Sequence, residues 1–367
     1  MSAVIAPSRT VASSPTARTP AGRRLALLGT GTVGRAFVAR YQHLLAQGRH
    51  LPEFAWLANS RVLGDCRSSP AAALQAANAA QRRGRALPPW AEAEALQRSD
   101  VVVDATASPE VADWHAQWLA RGVHVVTANK LGAGAQLARA QAIDEAARQG
   151  HALYGDSATV GAGLPLLASI RALRAGGDRI HAVEGVLSGS LAWLCHGLDR
   201  GTPFSCLLRQ AAAAGFTEPD PRVDLSGEDV RRKLLILARA AGIALQDDAV
   251  RVESLVPAEL RAVAREQVLD RAVCLDAVLE QRVAEARSEG ACLRFIGRVD
   301  ASGASVALRA LPVAHPLAAG GGTDNRVAIH SDRYDAQPLL IQGPGAGAGV
   351  TAAALLDDVL RIHSFRA

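Results

Sequence analysis

Leu25-Ala26-Leu27-Leu28 runs directly into Gly29-Thr30-Gly31-Thr32-Val33-Gly34, and a helical apolar pattern then continues through Arg40. Few local sequences restrict a fold so tightly. A short apolar strand, a G-x-G-x-x-G turn and a helix open the dinucleotide-binding sheet of a Rossmann unit. The first glycine turns the chain, the second admits a pyrophosphate to the backbone, and the third packs helix on strand. The helix N-terminus then faces the anion. Gly29, Gly31, Thr32, Val33 and Gly34 are therefore the expected contacts to a diphosphate. In a chain with 33 glycines the motif alone says little, and its place directly after a strand gives it weight.

The next apolar run, Phe54–Ala58, ends in Asn59-Ser60-Arg61. An NAD-binding sheet carries an acid at this strand end to hold the ribose hydroxyls, and none is present. Ser60 and Arg61 suit a 2′-phosphate instead, which points to NADP(H). The plainer reading leaves Arg61 as a solvated loop residue. Val101–Val103 and Val123–Thr127 read as further buried strands, with a helix near 109–121 between them. Ligands of such sheets lie beyond the carboxyl ends of the strands. Thr106 and Lys130 both follow strand ends, so both are placed to face a nicotinamide, although Asn129-Lys130 also fits an ordinary polar turn.

Lys130 stands out for another reason. The chain has 40 basic residues, and all but Lys130 and Lys233 are arginine. Arginine does not give up its proton in a protein, whereas lysine is a compact charge able to donate and accept one. Both lysines fall in motif-like stretches. The rest of the charge says less. Of the net +5, residues 1–24 contribute Arg9, Arg18, Arg23 and Arg24 with no acid, which leaves about +1 for the remainder. That gives a nucleic-acid partner little support. No run of eighteen apolar residues exists, so no membrane span is expected. Five scattered cysteines without a C-x-x-C read as reduced thiols, which suits a cytoplasmic compartment. Residues 1–22, rich in Ala, Ser, Thr, Pro and Arg, read as a disordered tail; their lack of acid is also a feature of organellar transit peptides.

In the second half, Tyr154–Leu164 reads Y-G-D-S-A-T-V-G-A-G-L, followed by Pro165 and a helix that runs out at Gly176-Gly177. A strand at Ala182–Leu187 then delivers Ser188-Gly189-Ser190. The densest constellation follows: Glu218-Pro219-Asp220-Pro221-Arg222-Val223-Asp224, then Ser226 to Lys233 entering an amphipathic helix. Asp229 and Lys233, four apart, share one face of that helix. A bland account exists, in which Ser226 and Asp229 cap the helix and Asp229 and Lys233 form a surface pair worth about 0.3–0.5 kcal/mol. Against it, Glu218, Asp220, Asp224 and Asp229 fall within a dozen residues, more negative charge than burial tolerates without a cation or an amine.

With these residues in view, the chain from about residue 24 onward resembles the homoserine dehydrogenases, especially the dehydrogenase half of bifunctional aspartokinase–homoserine dehydrogenases. The resemblance rests on G-T-G-T-V-G, T-A-N-K at 127–130, T-V-G-A-G-L-P at 159–165 and S-G-S-L at 188–191. It extends through T-E-P-D-P-R, D-L-S-G-E-D-V-R-R-K and G-P-G-A-G at 343–347. It implies an α/β protein: a Rossmann-type NADP-binding domain over 23–155, an α+β catalytic and dimerisation domain over 156–340, and a segment over 341–367 returning to the first. It implies reversible NADP(H)-dependent reduction of L-aspartate 4-semialdehyde to L-homoserine, within threonine, methionine and isoleucine biosynthesis, by a homodimer. Lys233 would be the acid–base residue, with Asp229 its partner and a substrate contact. Glu218 would bind the substrate amino group, with Asp224, Gly189 and Ser190 also lining the substrate. Lys130 and Thr106 would lie at the nicotinamide end, and Gly347 near the cofactor. A monovalent cation, sodium or potassium, would be held by the carbonyls of Val160, Ala162 and Leu164.

Three departures accompany the likeness. Val223-Asp224 stands where two aspartates are common, Phe216 where an aromatic hydroxyl is common, and Ser157 where the acidic ion ligand is expected. Asp156, one place earlier, takes over that role if the chain bulges by one residue. The closing helix expected at Val350–Ile362 leaves five residues after it, too few for an ACT-type module. No built-in threonine-binding domain and no strong threonine feedback are therefore expected. The alternative functions are another NADP-dependent amino-acid oxidoreductase of the same architecture and a non-catalytic NADP-binding regulator.

Overall fold

The computed structural model describes residues 23–80 and 96–364. The tail expected over 1–22 lies outside them. Two six-stranded sheets organise the chain. The first is built from β1 (Arg24–Leu28), β2 (Glu53–Ala58), β3 (Leu63–Asp65), β4 (Val101–Asp104), β5 (His124–Thr127) and β6 (Tyr154–Gly155), in the order β3-β2-β1-β4-β5-β6. All pairs are parallel except the edge pair β2–β3. Helices on both faces leave the central strands without access to water, and Val101, Val102 and Val103 are each 0% exposed. Each such side chain contributes roughly 1.5–3 kcal/mol of burial.

Strand order reverses between β1 and β4, where Leu28 and Asp104 are level. That makes the crevice beyond their carboxyl ends the natural ligand position of this sheet.

The second sheet contains β7 (Ile180–Val186), β8 (Val250–Val252), β9 (Ala291–Asp300), β10 (Gly303–Pro312), β11 (Asp324–Ser331) and β12 (Leu339–Pro344). Its order is β12-β11-β7-β9-β10-β8, antiparallel throughout except for β10–β8. The helix Glu228–Ala240 lies against its inner face, burying Val230, Leu234 and Leu237 in one cluster with Leu187, Phe295 and Val327. The period of apolar residues along this helix is what turns Lys233 inward with them, to 7% exposure.

The helix Ala348–Ser364 completes the first sheet rather than the second. Leu355, Leu356, Val359 and Ile362 share a cluster with Leu25, Leu27 and Phe37. Asp358 fixes its register by accepting from the Ser157 amide at 3.0 Å and the Ser157 hydroxyl at 2.9 Å. Among the described residues no helix is long and apolar enough to cross a membrane.

Candidate active site

The glycine turn has the shape its sequence demands. Gly29 has φ +98°, and a Cβ on it would lie 2.7 Å from the Ala105 carbonyl oxygen. A Cβ on Gly34 would lie 2.0 Å from the Gly29 oxygen, so the helix Thr32–Ala46 starts as close to the turn as backbone allows. At Gly31 a Cβ would meet only open space. Gly31 is also the N-cap of this helix, with no side-chain cap and no acid in the first turn that follows, Thr32 and Val33 included. The first amide groups are thus left for an outside anion, and the loop fits a diphosphate.

At the end of β2, Asn59 organises the neighbouring loop. Its Oδ1 accepts from the amides of Arg61 and Val62, at 2.8 and 3.1 Å. Its Nδ2 donates to Thr30 Oγ1 at 2.9 Å. Ser60 is exposed, and the Arg61 guanidinium has no hydrogen bond or ion pair among the described residues.

Beyond β4 and β5 lies a polar cluster that the sequence did not announce. Asp104 is fully buried, and its Oδ1 accepts from the Thr106 amide at 2.9 Å and hydroxyl at 2.7 Å. Its Oδ2 is 3.0 Å from His115 Nε2 and accepts from Asn129 Nδ2 at 3.0 Å. His115 Nδ1 in turn is 3.1 Å from the Tyr154 hydroxyl. One carboxylate therefore ties together the chain ends from which Thr106 and Lys130 emerge.

Lys130 and Lys233 come together although 103 positions apart, through Asp229. Asp229 Oδ2 lies 2.7 Å from Lys233 Nζ, and Oδ1 lies 3.3 Å from Lys130 Nζ. Lys233 also donates to the Leu187 carbonyl at 2.7 Å, at the end of β7. Gly134 makes this approach feasible: a Cβ there would lie 2.6 Å from the Lys130 oxygen and 2.8 Å from that of Arg232. Burial pushes the Asp229 carboxyl up, but the two lysine charges and their hydrogen bonds outweigh it and hold it well below the usual carboxylate range. The group sits deep in a recess that is still open, with 41% of its side chain accessible.

Leu187 leads into Ser188, which caps the helix Gly189–Leu198 by accepting from the Leu191 amide. Ser190 Oγ donates to Asp224 Oδ1 at 2.8 Å, and the Glu218 amide donates to Asp224 Oδ2 at 2.8 Å. Asp224 thus braces the Ser188–Ser190 turn and the Glu218 loop against each other. The Glu218 carboxylate is exposed and has no partner among the described residues. A Cβ on Gly189 would lie 2.8 Å from the Thr323 oxygen, so close packing alone requires that glycine.

The four acids do not form one cluster. Asp220 accepts from the Arg222 guanidinium at 2.7 and 3.0 Å and is neutralised there. The bland capping account also differs from what is seen. The helix carrying Asp229 starts at Glu228 with Gly227, φ +78°, as its N-cap, while Ser226 Oγ donates to the Val223 carbonyl.

At the expected ion site, both Asp156 oxygens accept from Arg171, at 2.6 and 2.7 Å, so this carboxylate is paired with a guanidinium. The Leu164 carbonyl accepts from the Leu166 amide at 2.8 Å. Val160 and Ala162 remain in a tight turn, with Ala162 at φ +49°. Among the described residues no group of three or more His, Cys, Asp or Glu side chains is arranged to hold a metal. Gly347, φ +122°, precedes the closing helix, and Val350 in that helix lies against Gly163.

Comparison with known proteins agrees with this geometry. The family profile described as homoserine dehydrogenase matches residues 165–360, and that described as the homoserine dehydrogenase NAD-binding domain matches residues 29–155. A chloroplastic bifunctional aspartokinase/homoserine dehydrogenase from Daucus carota is 41% identical over 270 residues, covering 73% of this chain but 29% of that protein. The chain thus spans under a third of the length of such bifunctional relatives. The homoserine dehydrogenase of Paracoccidioides brasiliensis is 38% identical over 274 residues, 71% of this chain and 74% of that one. A Candida auris protein of unknown function has a solved structure with a TM-score of 0.82 and 32% identity, covering 93% of this chain and 98% of that one. With a nucleotide-binding crevice on one side of Asp229 and a buried lysine on the other, the chain belongs to the homoserine dehydrogenase family.

Proposed function

We propose that the chain catalyses the reversible, NADP(H)-dependent interconversion of L-aspartate 4-semialdehyde and L-homoserine. The observation that carries this reading is the Lys130–Asp229–Lys233 junction, which joins the end of β5 to the catalytic helix at the mouth of the dinucleotide crevice. When bound, the cofactor supplies or accepts the hydride at the substrate carbon. The protein handles the proton. An ammonium has three donors, and Lys233 commits two, to Leu187 and Asp229. The third is left for the substrate oxygen, to which Lys233 delivers a proton in reduction and from which it takes one in oxidation. Asp229 orients Lys233 and keeps Lys130 within reach of the same position. Glu218, with no partner of its own, takes the substrate ammonium, while Ser188–Ser190 and Asp224 hold the loop that presents it.

Ser60 and Arg61 favour the 2′-phosphate, so NADPH is the preferred reductant. Residues 23–155, 156–340 and 341–367 act as nucleotide-binding, catalytic and returning segments of a cytoplasmic homodimer. No catalytic step is assigned to a monovalent cation, since Arg171 already neutralises Asp156. The decisive assay follows NADPH oxidation with aspartate 4-semialdehyde beside the same reaction with NADH. No turnover with the semialdehyde, despite NADPH binding, would refute the substrate assignment.

A further inference from the structure

The polar cluster beneath Thr106 and Lys130 is built around a charge. Every neighbour of the Asp104 carboxylate at 2.7–3.0 Å is a hydrogen-bond donor: the Thr106 amide and hydroxyl, the Asn129 amide and His115 Nε2. None can accept a carboxyl proton while His115 carries its own on Nε2. The hydrogen-bond pattern assigns that tautomer. Burial pushes the Tyr154 phenol well above its ordinary value, so it keeps its proton and donates it to His115 Nδ1. The chain of donors then runs Tyr154 to His115 to Asp104, whose carboxylate is 0% exposed.

Among the described residues no lysine or arginine is paired with that carboxylate. Its nearest functional neighbours are the backbone of the glycine turn and the two strand ends. Thr106 Cγ2 lies 3.1 Å from where a Cβ on Gly29 would be, so the Asp104–Thr106 turn forms one wall of the crevice. The cationic side of that crevice is Lys130, with Lys233 behind Asp229. Two lysines against one carboxylate leave a net positive charge where an oxidised nicotinamide ring, itself a cation, would have to sit. A reduced ring is neutral. The lysines alone would therefore favour the reduced cofactor, and a buried anion beneath the Thr106 and Asn129–Lys130 turns would offset them.

We propose that Asp104, a buried carboxylate ringed by hydrogen-bond donors, is a positioning residue with an electrostatic task. It fixes the Thr106 and Asn129–Lys130 turns and selectively strengthens binding of the oxidised cofactor. This inference rests on the cofactor assignment made above.

The experiment measures Kd for NADP⁺ and for NADPH separately, by titration without substrate, in the parent protein and in Asp104→Asn. The asparagine keeps size and one acceptor but removes the charge. NADP⁺ affinity is expected to fall about tenfold more than NADPH affinity. Equal losses for both forms would overturn the electrostatic task. Tyr154→Phe, which removes the outermost donor and leaves Asp104 and its direct contacts, serves as the control for general loosening. Its melting temperature is expected to drop while the ratio of the two Kd values stays within about twofold of the parent. A shift in ratio as large as that of Asp104→Asn would also overturn the proposal.

A measurement on the parent protein needs no variant to fold. A buried charge is little screened by salt, unlike exposed phosphate contacts. Raising potassium chloride from about 50 to about 500 mM should weaken both cofactor forms while their Kd ratio moves less than about twofold. A ratio that tracks the salt would place the discriminating charge at the surface and sink the idea. Failure of the parent protein to bind either form would instead refute the cofactor assignment.

Discussion

The two sheets place function in different materials. In the nucleotide-binding half, backbone does the work: Gly29 and Gly34 leave space that any Cβ would fill, and the amides at Gly31–Val33 have no side-chain cap. In the catalytic half, side chains do it: Lys233 pairs with Asp229 at 2.7 Å and Ser190 with Asp224 at 2.8 Å. A site made of backbone is specified by local sequence, and tolerates change only where its glycines survive. A site made of side chains is specified by contacts between distant positions, and can be altered one group at a time.

The sharpest way to break that contrast is to change one atom group in the catalytic half while leaving the crevice untouched. Lys233→Arg keeps the charge but not the proton transfer, and kcat should fall 10²-fold or more, on the order of 3 kcal/mol, with NADPH affinity retained. Steady-state rates beside a binding titration check it. Retention of more than a tenth of the parent kcat would remove Lys233 as the acid–base residue.

Glu218→Gln should act on the substrate alone. An amide pairs poorly with an ammonium group, and KM for homoserine should rise about 30-fold, roughly 2 kcal/mol, with Kd for NADPH unchanged. If instead the cofactor bound more weakly, the two halves would not be separable in the way described.

On the other side of the comparison, Arg61→Ala should leave kcat alone and narrow the preference for NADPH over NADH by about tenfold. Comparison of kcat/KM for the two cofactors gives the answer. A parent protein that uses both equally well would overturn the cofactor assignment.

The smallest effect concerns stability. His124 is buried and its Nδ1 accepts from the Leu153 amide at 2.9 Å. Burial, followed by the charges of Arg23 and Arg98, lowers its pKa from 6.5 to about 4. The unfolded chain therefore takes up this proton first as pH falls. The contribution is fully present above about pH 6.5 and is lost progressively toward pH 4. His124→Asn keeps an acceptor without the titration. Between about pH 7.5 and pH 5 its melting temperature should fall a few degrees less than the parent's. Identical slopes would show that His124 does not govern the acid limb.

The same contrast explains what could be read from the residues beforehand. The turn at Gly29–Gly34 and the Asp229–Lys233 pair lie within single elements, where helix and strand periods state the geometry. Asp104 offered no such signal. Its partners are 2, 11 and 25 positions away on separate elements, and Tyr154 joins them from 39 positions beyond His115. The partner of Asp156 was hidden for a related reason. Nothing local reveals that Arg171, one helix later, points back to it. Ser226 is not the N-cap because Gly227 takes a left-handed conformation and starts the helix one residue on, although the Ser226 hydroxyl still accepts from the Glu228 amide.

The helix Ala348–Ser364 has a consequence for biosynthesis. It supplies part of the apolar cover over Leu25, Leu27 and Phe37, yet more than 300 residues separate it from them. During translation the glycine turn precedes this helix by more than 300 residues and its sheet stays half-clad until the helix is made, while the second sheet comes from one contiguous stretch in between. The nascent chain therefore carries a partly uncovered parallel sheet throughout that interval. At typical rates of about 5–20 residues per second, that wait is tens of seconds. Chaperone demand should concentrate there, and shortening the interval by moving the final helix to the amino end is the permutation that this topology invites.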